Sequence, residues 1–369
     1  MTSQDTNDYQ SIFLEDRPLM DVRAPVEFEK GAFPKSQNIP ILDDLQREAI
    51  GTCYKKEGQD AAIALGLQLV GADIREQRLG QWTQFVKAYP EGYLYCFRGG
   101  LRSRTTQNWL QEQGVNYPLI KGGYKSMRTY LLQQLELSAE QIPMVILSGL
   151  TGSGKTHVLN KTRYQIDLEG LANHRGSAFG SDINDFQPTQ INWENKLSID
   201  CLKYRHHYPD AGLLLEDESK RIGRNILPDS FYLKMQQAPS IFLQRELEQR
   251  VAIIRDDYFT SSWPLYQQQY QQVGEEKFST FLLGSLARIK KRLGGVLYEQ
   301  INASFTLALE HLFATGESNL FDEGVRLLLL EYYDPMYQYQ LKNKQRKLVF
   351  SGTEPEILAW VEEHLKTMT

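Results

Sequence analysis

The chain has 369 residues, 41% of them hydrophobic and 24% charged, with a net charge of −5. That length holds two domains, each with its own core, and that charge excludes a globally basic nucleic-acid binder, so any polyanion must be met by local patches. Three widely spaced cysteines, Cys53, Cys96 and Cys201, argue against a disulfide framework or a zinc site and fit a reducing compartment.

The N-terminus is polar and acidic, with no signal peptide in view, and no apolar run approaches membrane-spanning length. A cytoplasmic location without membrane contact is expected. Pro18 to Arg23 reads as a short strand ending in charge, and Pro25 opens a helical turn. Helical spacing runs from 41 to 90. Tyr93-Leu94-Tyr95 is a strand that delivers Cys96, followed by the turn Phe97-Arg98-Gly99-Gly100 and a helix from Leu101 and Arg102 onward. Glycines let the amides of this loop converge on one point, and a helix N-terminus with two guanidinium groups favours a thiolate. Cys96 is therefore the expected nucleophile, and Phe97 to Arg102 the expected anion loop. Tyr117 to Ile120 reads as another strand, Lys121-Gly122-Gly123 as a turn, and Tyr124 to Leu137 as a closing helix.

These marks in order, Asp21-Val22-Arg23-Ala24-Pro25-Val26-Glu27-Phe28, Asn38-Ile39-Pro40, the cysteine loop and Leu119-Ile120-Lys121-Gly122-Gly123-Tyr124, resemble the rhodanese domain. The resemblance implies that Cys96 carries sulfur or selenium. The spacing Cys96-x5-Arg102 is longer than the common rhodanese loop and similar to tyrosine-phosphatase-like loops. A phosphate-like or selenophosphate-like anion is expected there. Cys53 reads as an incidental surface thiol and Cys201 as a packed one.

Ile142 to Ser148 is an apolar strand leading into Gly149-Leu150-Thr151-Gly152-Ser153-Gly154-Lys155-Thr156 and a helix, a phosphate loop in its required context. Gly149, Gly152, Ser153, Gly154, Lys155 and Thr156 are expected to hold a diphosphate at the helix N-terminus. Gln165 to Gly170 reads as a second strand closing on Asp167 and Glu169, with a substrate lid over Leu171 to Gly180 that includes Arg175. Ala211 to Glu218 is a buried strand ending near Glu216 and Asp217. Asp217, with the Thr156 hydroxyl, is a candidate Mg2+ ligand. Ser240 to Leu243 is a fourth strand. Beyond Tyr258 the chain is helical. Thr353-Glu354-Pro355-Glu356 is a capping box for a last helix. The basic runs Ala287–Arg292 and Lys342–Lys347, with Arg102, Arg104, Lys121, Lys125 and Arg128, are candidate RNA contacts.

The fold class expected is α/β, a rhodanese-like domain over 1–137 and a P-loop NTPase-like parallel-sheet domain with a helical extension over 138–369. The pairing of these two halves, with the cysteine loop, the phosphate loop, Leu168 to Gly180 and Glu216 to Gly223, resembles the tRNA 2-selenouridine synthase family over the whole chain. The resemblance implies replacement of sulfur by selenium at C2 of wobble 2-thiouridine in tRNA. It implies selenophosphate and geranyl diphosphate as co-substrates, an S-geranyl intermediate, and no tightly bound cofactor, with Mg2+ as a possible addition. The geranyl chain needs an apolar trough, for which Phe179, Phe186, Trp193 and Tyr204 are nearby candidates, with core packing the default. The residues leave two alternatives open: an ATP-dependent tRNA sulfurtransferase, and a Cys-x5-Arg phosphatase-like enzyme.

Overall fold

The computed structural model describes residues 4–174, 186–343 and 346–368. It divides into two compact units, Met1–Ser138 with Thr189–His207, and Ala139–Pro188 with Tyr208–Thr369.

The first unit is built on three parallel strands, β1 (Leu19–Asp21), β2 (Ser36–Asn38) and β3 (Tyr93–Tyr95), in the order β2-β1-β3. Single parallel bridges, Leu94 to Leu119 and Thr6 to Ile120, extend the ladder beyond β3. Side chains alternate across the strands. Met20, Val22, Leu94 and Cys96 pack with Trp82 and Trp109 on one face. Leu19, Tyr95 and Ile120 pack with Phe33, Met127 and Leu131 on the other. Both faces are covered, as parallel sheets require. The charged end of β1 is also buried: Arg23 forks onto Asp21, donates to the Gly31 carbonyl at 2.8 Å and lies 3.9 Å from the centre of the Tyr124 ring.

Helix Gln190–His207 belongs to this unit, although the sequence places it within the second half. Ile199 and Leu202 join the apolar face of Phe33 and Leu131. Asn195 is fully buried: its amide donates to the Ala32 carbonyl at 2.8 Å and its oxygen accepts from Arg128 at 2.8 Å. Asn192 accepts from the Ala32 N–H at 2.7 Å.

The second unit carries a parallel sheet of β4 (Met144–Ser148), β5 (Leu213–Glu216), β8 (Ser240–Leu243) and β9 (Leu348–Gly352), in the order β5-β4-β8-β9. Between β5 and β8 lies a small hairpin of β6 (Arg221–Ile222) and β7 (Asn225–Ile226). Every residue of β4 is buried. Because β4, β5 and β8 run parallel, the phosphate loop, Glu216 and Arg245 all sit at carboxyl ends, where α/β sheets bind ligands. Strand β9 was not legible, being partly exposed at the sheet edge and preceded by a basic run. The capping box at Thr353 is present, with Glu356 accepting from the Thr353 N–H at 2.8 Å.

Gln165 to Gly170 is not a strand. Gln165 makes one bridge to Leu214, and the chain then turns into the short helix Leu168–Ala172. Asp167 caps that helix, accepting from the Gly170 N–H at 2.8 Å. An aspartate that satisfies a helix N-terminus outweighs the weak apolar alternation before it.

The helical extension runs from Leu247 to Asn343 and has its own core, including Phe259, Phe278, Leu282, Phe305, Phe321 and Val325. Two π-helical turns, Asp256–Thr260 and Leu329–Tyr333, interrupt it. Among the described residues no helix is long and apolar enough to cross a membrane.

Candidate active sites

In the first unit, the turn after β3 is fixed by close backbone approach. The Cys96 and Phe97 carbonyls accept from the Tyr124 and Lys125 N–H groups, each at 2.9 Å. A Cβ on Gly123 would lie 2.2 Å from the Cys96 carbonyl oxygen, so that position, at φ 57°, admits only glycine. Cys96 is 3% exposed, and its Sγ lies 3.1 Å from the Ser103 hydroxyl. Ser103 sits in the first turn of helix Leu101–Glu112, so this hydroxyl and the helix N-terminus reach the sulfur together. The sequence reading passed over Ser103 as a partner; its place seven residues after Cys96 is the signal that could have found it.

Arg102 does not extend toward an open loop. It forks onto both oxygens of Glu27. Burial acts against the Arg102 charge, and the Glu27 carboxylate more than offsets it, leaving the guanidinium pKa raised. Burial likewise acts against the Glu27 charge, while Arg102, the Ala24 N–H and Arg47 hold its carboxyl below the usual range. Arg98 is exposed, with its guanidinium 5.8 Å from the centre of the Phe97 ring.

In the second unit, the phosphate loop follows β4 and ends in helix Lys155–Leu159, with Gly154 in the left-handed conformation. Alternate loop carbonyls are each held by a cation. Gly149 O accepts from Lys155 Nζ at 3.1 Å, Thr151 O from Arg250 at 2.9 Å and Ser153 O from Arg245 at 3.2 Å. The two arginines are themselves anchored, Arg250 by Asp334 and Arg245 by Glu354. The Gly149 N–H donates to the Tyr337 hydroxyl at 3.0 Å.

Beside the loop, oxygens of Glu169, Glu216 and Glu218 lie within 4.8 Å of one another. Glu216 is 5% exposed, and its Oε1 has no hydrogen-bond partner among the described residues. Burial, with Glu169 and Asp167 nearby, pushes the Glu216 carboxyl up to about 7 against the pull of Lys155 and Thr156. Burial, Glu169 and Glu216 raise Glu218 as well. Three carboxylates next to the Thr156 hydroxyl form an all-oxygen set that suits a hard divalent cation such as Mg2+. Glu218 escaped the sequence reading. Asp217 lines the same cavity but is already paired: its carboxylate meets Arg346 and accepts from the Ser148 hydroxyl at 3.3 Å.

Loop and carboxylates open on one cavity of about 890 Å3. Its polar end is lined by Gly149, Thr151, Gly152, Gly154, Lys155 and Thr156 with the three glutamates. The rest of the lining is mixed: polar groups such as His157, Asn160, Asp217 and Asp257 face it, and its apolar share, including Tyr258, Phe259, Leu265, Phe281, Phe305 and Leu329, comes from the helical extension.

Among the described residues, none of the trough candidates expected from sequence lines this cavity. Phe186 is 79% exposed, whereas Trp193 and Tyr204 are buried in helix Gln190–His207 of the first unit. Phe179 and Arg175 lie outside the described residues, as does most of the expected lid. Several candidate RNA contacts are also otherwise engaged, Arg102 with Glu27 and Lys290 with Glu299 among them. Arg346 has a side chain only 4% exposed, against Asp217, and Arg128 pairs with Glu194 and Asn195. Arg104, Lys121 and Lys125 are exposed.

A family model described as the tRNA 2-selenouridine synthase AAA domain matches residues 142–368. Full-length relatives extend the likeness over both units. A tRNA 2-selenouridine synthase of Marinobacter nauticus is 46% identical, covering 98% of this chain and 99% of its own. Those of Shewanella halifaxensis and Shewanella loihica are 45% and 46% identical, each over 97% of this chain and over 98% and 96% of their own.

Proposed function

The chain belongs to the tRNA 2-selenouridine synthase family, and from that premise we propose a two-stage exchange of sulfur for selenium at C2 of wobble 2-thiouridine in tRNA. The second unit performs the first stage. Geranyl diphosphate lies with its diphosphate on the phosphate loop and its hydrocarbon chain along the aromatic wall. The thiouridine sulfur attacks the allylic carbon, the carbon–oxygen bond breaks, and diphosphate leaves as the nucleobase loses its N3 proton. Lys155 and the loop amides stabilise the charge that develops on the departing oxygen. The carboxylate group of Glu169, Glu216 and Glu218 beside the loop takes that proton and, with Thr156, is the place for a divalent cation. Such a cation would add charge stabilisation on the diphosphate.

The observation that carries this reading is one cavity that joins the phosphate loop to a cluster of aromatic and aliphatic side chains from the helical extension. An allylic diphosphate has that division of polarity. A nucleoside triphosphate would leave that apolar cluster without a matching partner, which favours the allylic reading over the ATP-dependent alternative.

The first unit, read as rhodanese-like, performs the second stage. The selenium of selenophosphate attacks C2, the geranylated sulfur leaves as geranyl thiol, and water cleaves the selenium–phosphorus bond to release phosphate. Cys96 orients the donor; a selenium adduct on its sulfur would need a two-electron oxidant, because selenophosphate delivers selenium at the selenide level. Intact-protein mass spectrometry during turnover is expected to show Cys96 without a selenium adduct. The overall reading is tested with purified protein and 2-thiouridine tRNA, with and without geranyl diphosphate and selenophosphate, followed by nucleoside mass spectrometry. S-geranyl-2-thiouridine with the first co-substrate alone, and 2-selenouridine only with both, are the expected products. Selenation that proceeds without geranyl diphosphate would overturn it.

A further inference from the structure

The wall of the cavity contains a glycine whose role is to make room for a ring. Phe305, on helix Gly295–Thr315, is fully buried and lines the cavity. Its ring meets Phe259 and Phe321 edge-on, with centroids 5.7 and 5.5 Å apart. Those two rings stack on each other at 4.0 Å. Behind Phe305 lies Gly324, in the middle of helix Phe321–Leu328. A Cβ at Gly324 would sit 2.6 Å from Cε1 and 2.7 Å from Cδ1 of Phe305, well inside contact distance. Gly324 has no left-handed backbone that would demand glycine. A helix-interior glycine costs about 1 kcal/mol relative to alanine, and the conformation of the backbone gives no return for it. Seating the Phe305 ring does.

The ring is thus clamped on several sides, where the lining of the cavity meets the core of the helical extension. Both π-helical turns contribute to the same wall, Phe259 from one and Leu329 with Tyr333 from the other. Such turns recur at functional sites, because an inserted residue re-aims the side chains around it. We propose that Phe305, seated by Gly324, is the stop that sets the length of isoprenoid chain the cavity takes. This rests on the reading of the cavity as an allylic diphosphate site. A phenyl group is close in volume to one isoprene unit, so the two residues act in opposite directions. Removing the ring lengthens the cavity by about one unit. Adding a methyl at Gly324 pushes the ring into it.

The test is a competition. Wild-type protein, Phe305→Leu, Phe305→Ala and Gly324→Ala are each given 2-thiouridine tRNA with equal dimethylallyl, geranyl and farnesyl diphosphate, and the alkylated nucleosides are counted by mass spectrometry. Thermal melting identifies which variants are folded, and Phe305→Leu keeps an apolar core residue should the alanine variant fail to fold. The farnesyl-to-geranyl ratio is expected to rise about tenfold or more when the ring is removed, the scale of discrimination that small changes in apolar pockets give. Gly324→Ala is expected to shift product toward dimethylallyl. If the folded variants alkylate tRNA with the wild-type length ratio, the stop lies elsewhere, and the cavity assignment survives. If the wild-type protein transfers no isoprenoid of any length, the cavity assignment itself fails, and this proposal with it.

Discussion

The thiol loop and the phosphate loop share one local plan, a strand, a glycine-bearing turn and a helix N-terminus, yet their cations are placed differently. In the phosphate loop, Lys155 rests on a neutral carbonyl, Gly149 O. In the thiol loop, Arg102 is held by the Glu27 carboxylate. A carbonyl competes weakly for an ammonium group, and a diphosphate displaces it at little cost. A carboxylate paired with a part-buried guanidinium is a far stronger competitor. On the proposed function, the phosphate loop is ready for its anion, whereas the thiol loop must first give up an ion pair and uncover a sulfur that is 3% exposed. The same local plan is thus open in one place and closed by its neighbours in the other.

The strongest break in this comparison comes from removing each loop's reactive group. Lys155→Ala is expected to lower geranylation by about 100- to 1,000-fold, the usual cost of losing one donor to developing charge. Cys96→Ala is expected to leave geranylation intact, block selenation and let geranylated tRNA accumulate. Nucleoside mass spectrometry reads both, and loss of geranylation in Cys96→Ala would show that the two loops do not divide the work.

A second prediction concerns the carboxylates beside the phosphate loop. The Glu216 carboxyl is raised from 4.5 to about 7 by burial. The folded protein therefore holds this proton more tightly than the unfolded chain does. Its contribution to stability is complete below about pH 4.5 and is lost as pH rises through about 7, a change of up to about 3 kcal/mol. Glu216→Gln removes that slope. Melting temperature against pH, in wild type and variant, measures it, and parallel curves would refute the assignment.

The packing of the first unit is tested by Asn195→Ala, which strips partners from the Ala32 carbonyl and Arg128. A loss of about 2 kcal/mol is expected in urea unfolding; a neutral result would mean that helix Gln190–His207 does not depend on these bonds. The smallest effect is also the one that sharpens the comparison most. Glu27→Gln frees Arg102 for an anion, and the KM for selenophosphate is expected to fall about threefold, on the scale of a single exposed-to-part-buried charge contact. An unchanged KM would show that Arg102 is not an anion ligand.

Much of the fold is legible in the sequence. The phosphate loop, strands β1, β3, β4, β5 and β8 and the final capping box all announce themselves through local chemistry: apolar runs, glycines and cap residues at fixed offsets. What was hidden depends on contacts between residues far apart in the chain. Asp217 looked like a metal ligand because it ends a strand, and it belongs to Arg346, 129 residues away. Glu218 joined the carboxylate group only once Asp167 had turned the preceding segment into a helix that presents Glu169. The aromatic wall was invisible because Phe259, Phe281 and Phe305 sit at helical spacing, and a bundle core and a hydrocarbon trough have the same sequence pattern. Trp193 and Tyr204 are trough candidates only by proximity in sequence, and core packing, the default reading for both, is where the structure places them.

The central claim is that the phosphate loop and the aromatic wall together bind one molecule with a diphosphate head and a hydrocarbon tail. Calorimetric titration of the wild-type protein with geranyl diphosphate, inorganic diphosphate, geraniol and ATP tests it directly. Geranyl diphosphate is expected to bind far more tightly than either of its halves, to exclude inorganic diphosphate and to be indifferent to ATP. If ATP displaced it, or if inorganic diphosphate bound as tightly as the whole molecule, the wall would have no part in recognition and the claim would be contradicted.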